Sequence, residues 1–330
     1  MIRKKGVKRT DEQNTELLVS NGLRTENFLN SSPMKRLLLV LTMGLSLTHF
    51  TQAQDLNCAP DDLADMFKRQ LIVEFADTLE AGRGQITKYP QKNLGYLLKS
   101  AVEEYWKVNA KIEYQVQGDI KRNLEKGEAR NVYLFLTKHP DSKPGSTIWI
   151  LNYSKGTSYK EGKIDYQIYL PDISKRSVAE FTAFDVEFTV SVMQEHMKYV
   201  QKNNKKISPA EYFYIEAEKN CKLLKSANPN VFVDQGYLSK SVDEKGLKKA
   251  FKKVRYTLLT SEQINSALEE SKDSAAIIIN YPGKFESLST SAMGEKYIFW
   301  NKVLVQGSSY KVLGAVGNGR KDNVLIDIES

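Results

Sequence analysis

Val132-Tyr133-Leu134-Phe135-Leu136 is an unbroken apolar run. A strand solvated on one face alternates apolar and polar residues. One apolar on both faces belongs inside a sheet that is covered on both sides, as in an α/β fold. Outward from this run, the preceding chain supplies the covering elements. Leu94, Leu97, Leu98, Ala101, Val102, Tyr105 and Trp106 recur at helical spacing and make one apolar stripe. Ile112 to Val116 alternates as a strand. Asp119 is placed to cap a short polar helix through Lys126, with Gly127 to end it. Upstream, Asp61–Gln70 reads as a helix opened by Pro60 and two acids, and Leu71–Phe75 as a compact strand. Downstream, Pro140, Pro144 and Gly145 turn the chain into two further strands, Ile148–Tyr153 and Ile164–Leu170.

The same order recurs. Val231-Phe232-Val233 is a strand and Asp243–Lys253 a helix with Leu247, Ala250 and Phe251 inward. Val254–Leu259 is a strand, Ser261 with Ile264 and Leu268 marks a capped helix, and Ala275–Asn280 is an apolar strand ended by Pro282. Tyr297–Val305 and Tyr310–Val316 complete a meander. The pattern predicts an α/β fold of two tandem β-α-β-α-β-β-β units with mixed sheets, joined by a helical segment. The expected domains are 54–177 and 222–330, with a connector over 178–221. In that connector Val186, Val190, Met193, Met197 and Val200 fit a helix, while Val186, Phe188, Val190 and Val192 also alternate as a strand does. Length favours a helix through Asn203. Ser208-Pro209 signals the start of another.

Ahead of these units, Lys35-Arg36 followed by the apolar stretch Leu37–Leu47 and by Thr51-Gln52-Ala53 has the form of a secretory signal peptide, residues 34–53, cleaved after Ala53. The apolar stretch is about half of the ~20 residues that span a bilayer, so no permanent anchor is expected. Residues 1–33 are polar, carry both signs of charge and read as a non-translated or disordered extension. Asp55-Leu56-Asn57 before Cys58 lacks the small residues of a lipid-attachment site. The formal charge of +8 falls to +4 once residues 1–53 are set aside. That is too small, and too dispersed, for the concentrated basic face that nucleic-acid binding requires.

Cys58 and Cys221 are the only cysteines. An exported chain can join them in a disulfide or keep two separate thiols, and both alternatives stand at this level. Chemical signatures are sparse. No H-E-x-x-H, C-x-x-C or G-x-S-x-G occurs, and no metal or cofactor is expected. Ser308-Ser309-Tyr310-Lys311 satisfies S-x-x-K in a chain rich in Ser and Lys. Gly314–Gly319 reads as a turn, because no βα unit follows it. His139 ends an apolar strand, a place where open α/β sheets bind ligands, and His196 sits mid-helix. Trp149, Tyr153, Tyr166 and Tyr169 gather on the first meander. Facing outward with His139 they make a binding surface; facing inward they are cross-strand packing, the stronger expectation.

Several of these features resemble a group of exported proteins of unknown function in the Bacteroidota. They are Ala53-Gln54 at the end of the leader, Trp106 and Asn109 between helix and strand, Met193-Gln194 within a helix, and Asn220, Leu223 and Leu224 before Val231–Asp234. The resemblance implies a tandem Rossmann-like arrangement and an envelope address, with no known activity. The unit also resembles N-terminal domains of envelope accessory lipoproteins and of the translocation protein TolB, at the level of fold.

Together these features predict a non-catalytic protein of the periplasm, exported by Sec and acting as an interaction or accessory module on an envelope protein or a cell-wall-associated partner. Passage beyond the outer membrane is compatible with the same leader. The alternative is a small-ligand-binding protein with an interdomain cleft. A hydrolase with dispersed residues requires a pocket that groups His139 with a Ser or an acid.

Overall fold

The computed structural model describes residues 56–75, 90–140, 148–173, 181–238, 244–251, 254–271, 274–287 and 296–316. Residues 1–33, the 34–53 leader and Gly317–Gly319 lie outside this set. The first unit runs α1 (Pro60–Lys68), β1 (Gln70–Phe75), α2 (Pro90–Tyr105), β2 (Ile112–Val116), α3 (Gln117–Lys126), β3 (Asn131–Lys138), β4 (Trp149–Lys155), α4 (Gly156–Lys160) and β5 (Tyr166–Tyr169). Helices α5 (Ala183–Asn203) and α6 (Pro209–Ala227) follow. The second unit runs β6 (Asn230–Asp234), a 3-10 turn (Gln235–Tyr237), α7 (Glu244–Ala250), β7 (Tyr256–Leu259), α8 (Ser261–Ser271), β8 (Ala275–Ser287), β9 (Lys296–Gln306) and β10 (Val312–Val316).

Each unit builds a five-stranded mixed sheet, in the orders β2-β1-β3-β4-β5 and β7-β6-β8-β9-β10. In both, the first strand lies parallel to the second and third, and the last three form an antiparallel meander. The units are the same topologically, and the register makes them comparable residue by residue. Leu71 pairs with Ile112 and Val132; Val231 pairs with Tyr256 and Ala276.

β3 is buried from Asn131 through Leu136 because helices cover both faces. On one side Ile120 and Leu124 of α3 pack with Ile72, Tyr133 and Phe135. On the other, Leu71, Val73, Val132 and Leu134 join a cluster that takes in α2, α5, α8 and residues of the second sheet such as Phe232, Ile277 and Ile279. Helix α5 therefore lies in a core common to both sheets. It buries residues on nearly all sides, among them Val186, Phe188, Val190, Met193, His196, Met197 and Val200. That explains its ambiguous sequence, since a helix buried all round shows no polar face. Thr182 and Asp185 cap its start reciprocally, and Ser208 with Glu211 does the same for α6, whose first turn holds Pro209.

Two local expectations are corrected. Asp119 does not cap α3: the N-cap is Val116, and Asp119 sits in the first turn, where its charge still suits the helix dipole. Pro282 does not end β8, which continues to Ser287 across a register shift between Pro282 and Phe285, where a bulge tolerates a residue without an N–H. Helix α4 had no sequence signal. It starts at Gly156, where a Cβ would lie 2.6 Å from the carbonyl oxygen of Glu128. Gly127 ends α3 as expected, with a left-handed φ of 72°.

Polar ties join the units. Gln194 of α5 donates to the Tyr105 carbonyl (2.7 Å) and accepts the Lys107 N–H (2.9 Å), closing the end of α2. The Tyr169 N–H donates to the Tyr281 hydroxyl (3.1 Å), and the Asp172 N–H to the Asn280 carbonyl (2.8 Å). Tyr310, at a positive φ of 53°, donates its hydroxyl to Glu187 and packs edge-on against Tyr105.

Candidate functional site

In open sheets of this kind, ligands bind beyond the carboxyl ends of the parallel strands, where the chain switches from one side of the first strand to the other. In the second unit that place is the end of β6, and the residue there is Asp234. The side chain is 4% exposed. It accepts the Gly236 N–H at 2.8 Å and the Ser261 hydroxyl at 2.6 Å. Ser261 is the first residue of α8, so the strand end and the helix start are tied by one buried hydrogen bond.

Asp234 and Ser261 border a small cleft that opens to solvent. Its opposite wall is the start of α5, with Thr182 and Asp185. Asp185 is 1% exposed, and one of its oxygens accepts both the N–H and the hydroxyl of Thr182 at 2.9 Å. Asn265 adds an amide, and Phe184, Ile264, Leu268 and Ile277 form the apolar floor. Two carboxylates and no cationic side chain line it, so the arrangement suits hydroxyl or ammonium donors. Repetition of Ser261, Ile264, Asn265 and Leu268 along one face of α8 is the signal that marks this wall in the sequence.

The matching position in the first unit is Glu74, three residues beyond Leu71 as Asp234 is beyond Val231. Glu74 is buried and accepts the Leu136 N–H at 2.9 Å. Burial pushes its carboxyl up to about 7, only partly opposed by that hydrogen bond. Neither Glu74 nor Asp234 stands out in the sequence, because the equivalence rests on strand register.

The aromatic set does not form an outward surface. Tyr153, Tyr166 and Tyr169 are buried in the core, with Tyr153 and Tyr166 paired across β4 and β5. Trp149 is half-buried, with the Lys138 ammonium 5.4 Å from its ring centroid. His139 is buried against Tyr169, with ring centroids 5.8 Å apart, and is not among the residues lining the cleft. The meander faces its own helices, so its rings serve packing.

His196 is a satisfied core residue. Its Nε2 lies 3.2 Å from the Ile207 carbonyl oxygen, which only accepts, so Nε2 carries the proton and Nδ1 accepts from the Tyr166 hydroxyl at 2.6 Å. Burial lowers its pKa to about 4, and the ring stays neutral. The cysteines are two free thiols rather than a disulfide. Cys58 is buried, its pKa pushed up to about 12 by burial and by Asp165 and Asp62, whereas Cys221 is exposed on α6. Of the S-x-x-K residues, Ser309 bonds Gln306 at 3.0 Å within a turn.

The residues behind the family resemblance act as ties. Trp106 donates to Asn109 (3.0 Å), whose amide holds the carbonyls of Met66 (2.9 Å) and Arg69 (3.0 Å) at the end of α1. Asn220 donates to the Val312 carbonyl at 3.1 Å. Among the described residues, no three His, Cys, Asp or Glu side chains gather to hold a metal ion, and no helix is long and apolar enough to cross a membrane. Comparison with known protein families, curated proteins and solved structures finds no match to this chain.

Proposed function

We propose that this chain is an exported envelope protein that works by binding a protein or cell-wall-associated partner, as an accessory module. The export step rests on the Lys35-Arg36 leader with its Leu37–Leu47 apolar stretch. The binding role rests on one observation: among the described residues β2 is an edge strand of the first sheet, half-exposed, and its Val116 (37%) is an exposed large apolar side chain. Open edges add strands from partners, which gives affinity through the backbone and selectivity through alternate side chains. Crosslinking and pull-down of the tagged chain from its own envelope test the reading. A partner lost on Val116→Lys supports it. Recovery of no partner, together with thermal stabilisation by a small metabolite, overturns it.

A second reading, a small-ligand-binding protein, is favoured by the cleft between Asp185 and Asp234. Its test is a thermal-shift screen with small polyols and amines. A response abolished by Asp234→Asn supports it; identical responses in the two proteins sink it.

A further inference from the structure

Lys99 of α2 places its ammonium 5.4 Å from the Tyr114 ring centroid and 5.6 Å from that of Phe75, so α2 crosses the face of β1 and β2 at this point. The chain leaves α2 at Tyr105 and enters β2 at Ile112, so the two run in opposite directions. One helical turn back from Lys99 is Tyr96; two residues on from Tyr114, on the same face, is Val116. Tyr96 and Val116 are both exposed large apolar side chains, and among the described residues no strand pairs with β2 on the side away from β1. The inner part of that face, Ile112 and Tyr114, packs on the core. The other face carries Glu113 and Gln115. Glu113 is held by the amides of Gln70 and Gln115, each at 2.8 Å.

The pattern is symmetric about Tyr114. Placed antiparallel to itself, the strand sets Tyr114 against Tyr114, Ile112 against Val116 and Glu113 against Gln115. Apolar residues meet apolar residues, and no like charges stand opposite each other, the arrangement that strand pairs favour. A lysine in the strand would have blunted such an edge, and none lies between Ile112 and Val116. We propose that β2 pairs antiparallel with β2 of a second copy of this chain, on a two-fold axis at Tyr114, joining two five-stranded sheets into one. The contact is isologous, the commonest closure for a homo-oligomer. It rests on the reading of β2 as a binding edge and names what occupies it. Five paired residues make a small interface, so the dimer is expected to be weak and concentration-dependent.

The test is the mass of the purified chain in solution across a wide concentration range, by light scattering and sedimentation. The wild type is expected to move from monomer to dimer. Val116→Lys, which sets a charge against Ile112 of the other copy, is expected to remain monomeric with an unchanged circular dichroism spectrum. Tyr114→Cys, in a Cys221→Ser background, places two thiols across the axis within disulfide reach, and oxidation is expected to trap a covalent dimer. A wild type that stays monomeric throughout, a dimer indifferent to Val116→Lys, or no trapped dimer with Tyr114→Cys overturns the inference. If a monomeric wild type still captures an envelope partner and loses it on Val116→Lys, self-pairing fails while the edge reading survives. Loss of neither dimer nor partner on Val116→Lys removes both.

Discussion

Glu74 and Asp234 occupy the same register position in the two sheets, each at the carboxyl end of the strand that lies between two parallel neighbours. Their surroundings differ. Asp234 accepts from a backbone N–H and from the Ser261 hydroxyl, whereas Glu74 accepts from the Leu136 N–H. Ser261 corresponds to Gln117 in the first unit, so the hydroxyl that serves Asp234 has no counterpart beside Glu74.

That difference predicts a pH dependence. Glu74 has its pKa raised from 4.5 to about 7 by burial, so between these values the folded chain binds more protons than the unfolded one. Its contribution to stability is complete below about pH 4.5 and is lost as pH rises towards 7, a change of about 3 kcal/mol at most. His196, lowered from 6.5 to about 4, works in the opposite sense: its contribution is complete above 6.5 and is lost as pH falls towards 4. Over the shared window the two slopes largely cancel. Glu74→Gln keeps an acceptor for the Leu136 N–H and removes one slope. Urea unfolding across pH 4 to 8 should then show stability rising with pH more steeply than in the wild type, and a higher midpoint at pH 8. Superimposable pH curves for the two proteins would refute the assignment.

Ser261→Ala leaves an oxygen of the buried Asp234 without its 2.6 Å donor. The expected loss is on the order of 1–3 kcal/mol, the cost of an unsatisfied buried acceptor. Chemical denaturation measures it. Asn265→Ala, on the same wall but half-exposed, should cost much less. Equal losses would mean that the hydrogen bond to Asp234 contributes nothing particular.

Gly156→Ala places a methyl group 2.6 Å from the Glu128 carbonyl oxygen and 2.9 Å from its nitrogen, both backbone atoms. The α3–β3 connection and α4 must separate to admit it. Overpacking of this kind costs roughly 1–3 kcal/mol. Gly118→Ala is the control, since nothing lies within 4 Å of its added carbon. A thermal midpoint that falls only for the Gly156 variant is the expected result.

Gln194→Leu removes both the donor to the Tyr105 carbonyl and the acceptor for the Lys107 N–H while retaining bulk. Two backbone groups at the end of α2 lose their partner, at a cost of about 1–3 kcal/mol each before water enters. Hydrogen exchange should quicken at Lys107 more than at β3 amides. Uniform acceleration across the chain would instead indicate global loss of stability.

Local chemistry made much of the fold legible. The run Val132–Leu136, the stripe from Leu94 to Trp106, and Ser208-Pro209 each act within a few residues, and the elements they predict are present. The duplicated order of elements could be read from the same signals. The stretch Val186–Val200 shows no clear periodicity, because it is buried on nearly all sides, yet its length pointed to a helix through Asn203, where the helix ends. The candidate cleft was legible only as a helix face, Ser261 to Leu268, with nothing to say that Thr182 and Asp185 stand opposite it.

What the sequence determined by itself is the kind and order of the elements, since helical and strand periodicities, caps and turns are properties of neighbouring residues. What the tertiary structure decided is facing and register. Alternation along β4 and β5 places Tyr153 and Tyr166 on one side of a strand but does not say which side meets the core; packing of Tyr153 on Trp106 and of Tyr166 on His196 of α5 turned them inward. Pairing β1 with β2 and β3, and β6 with β7 and β8, brought Glu74 and Asp234 to equivalent places from 160 residues apart. Such relations depend on burial and hydrogen bonding between distant segments, which no local pattern encodes.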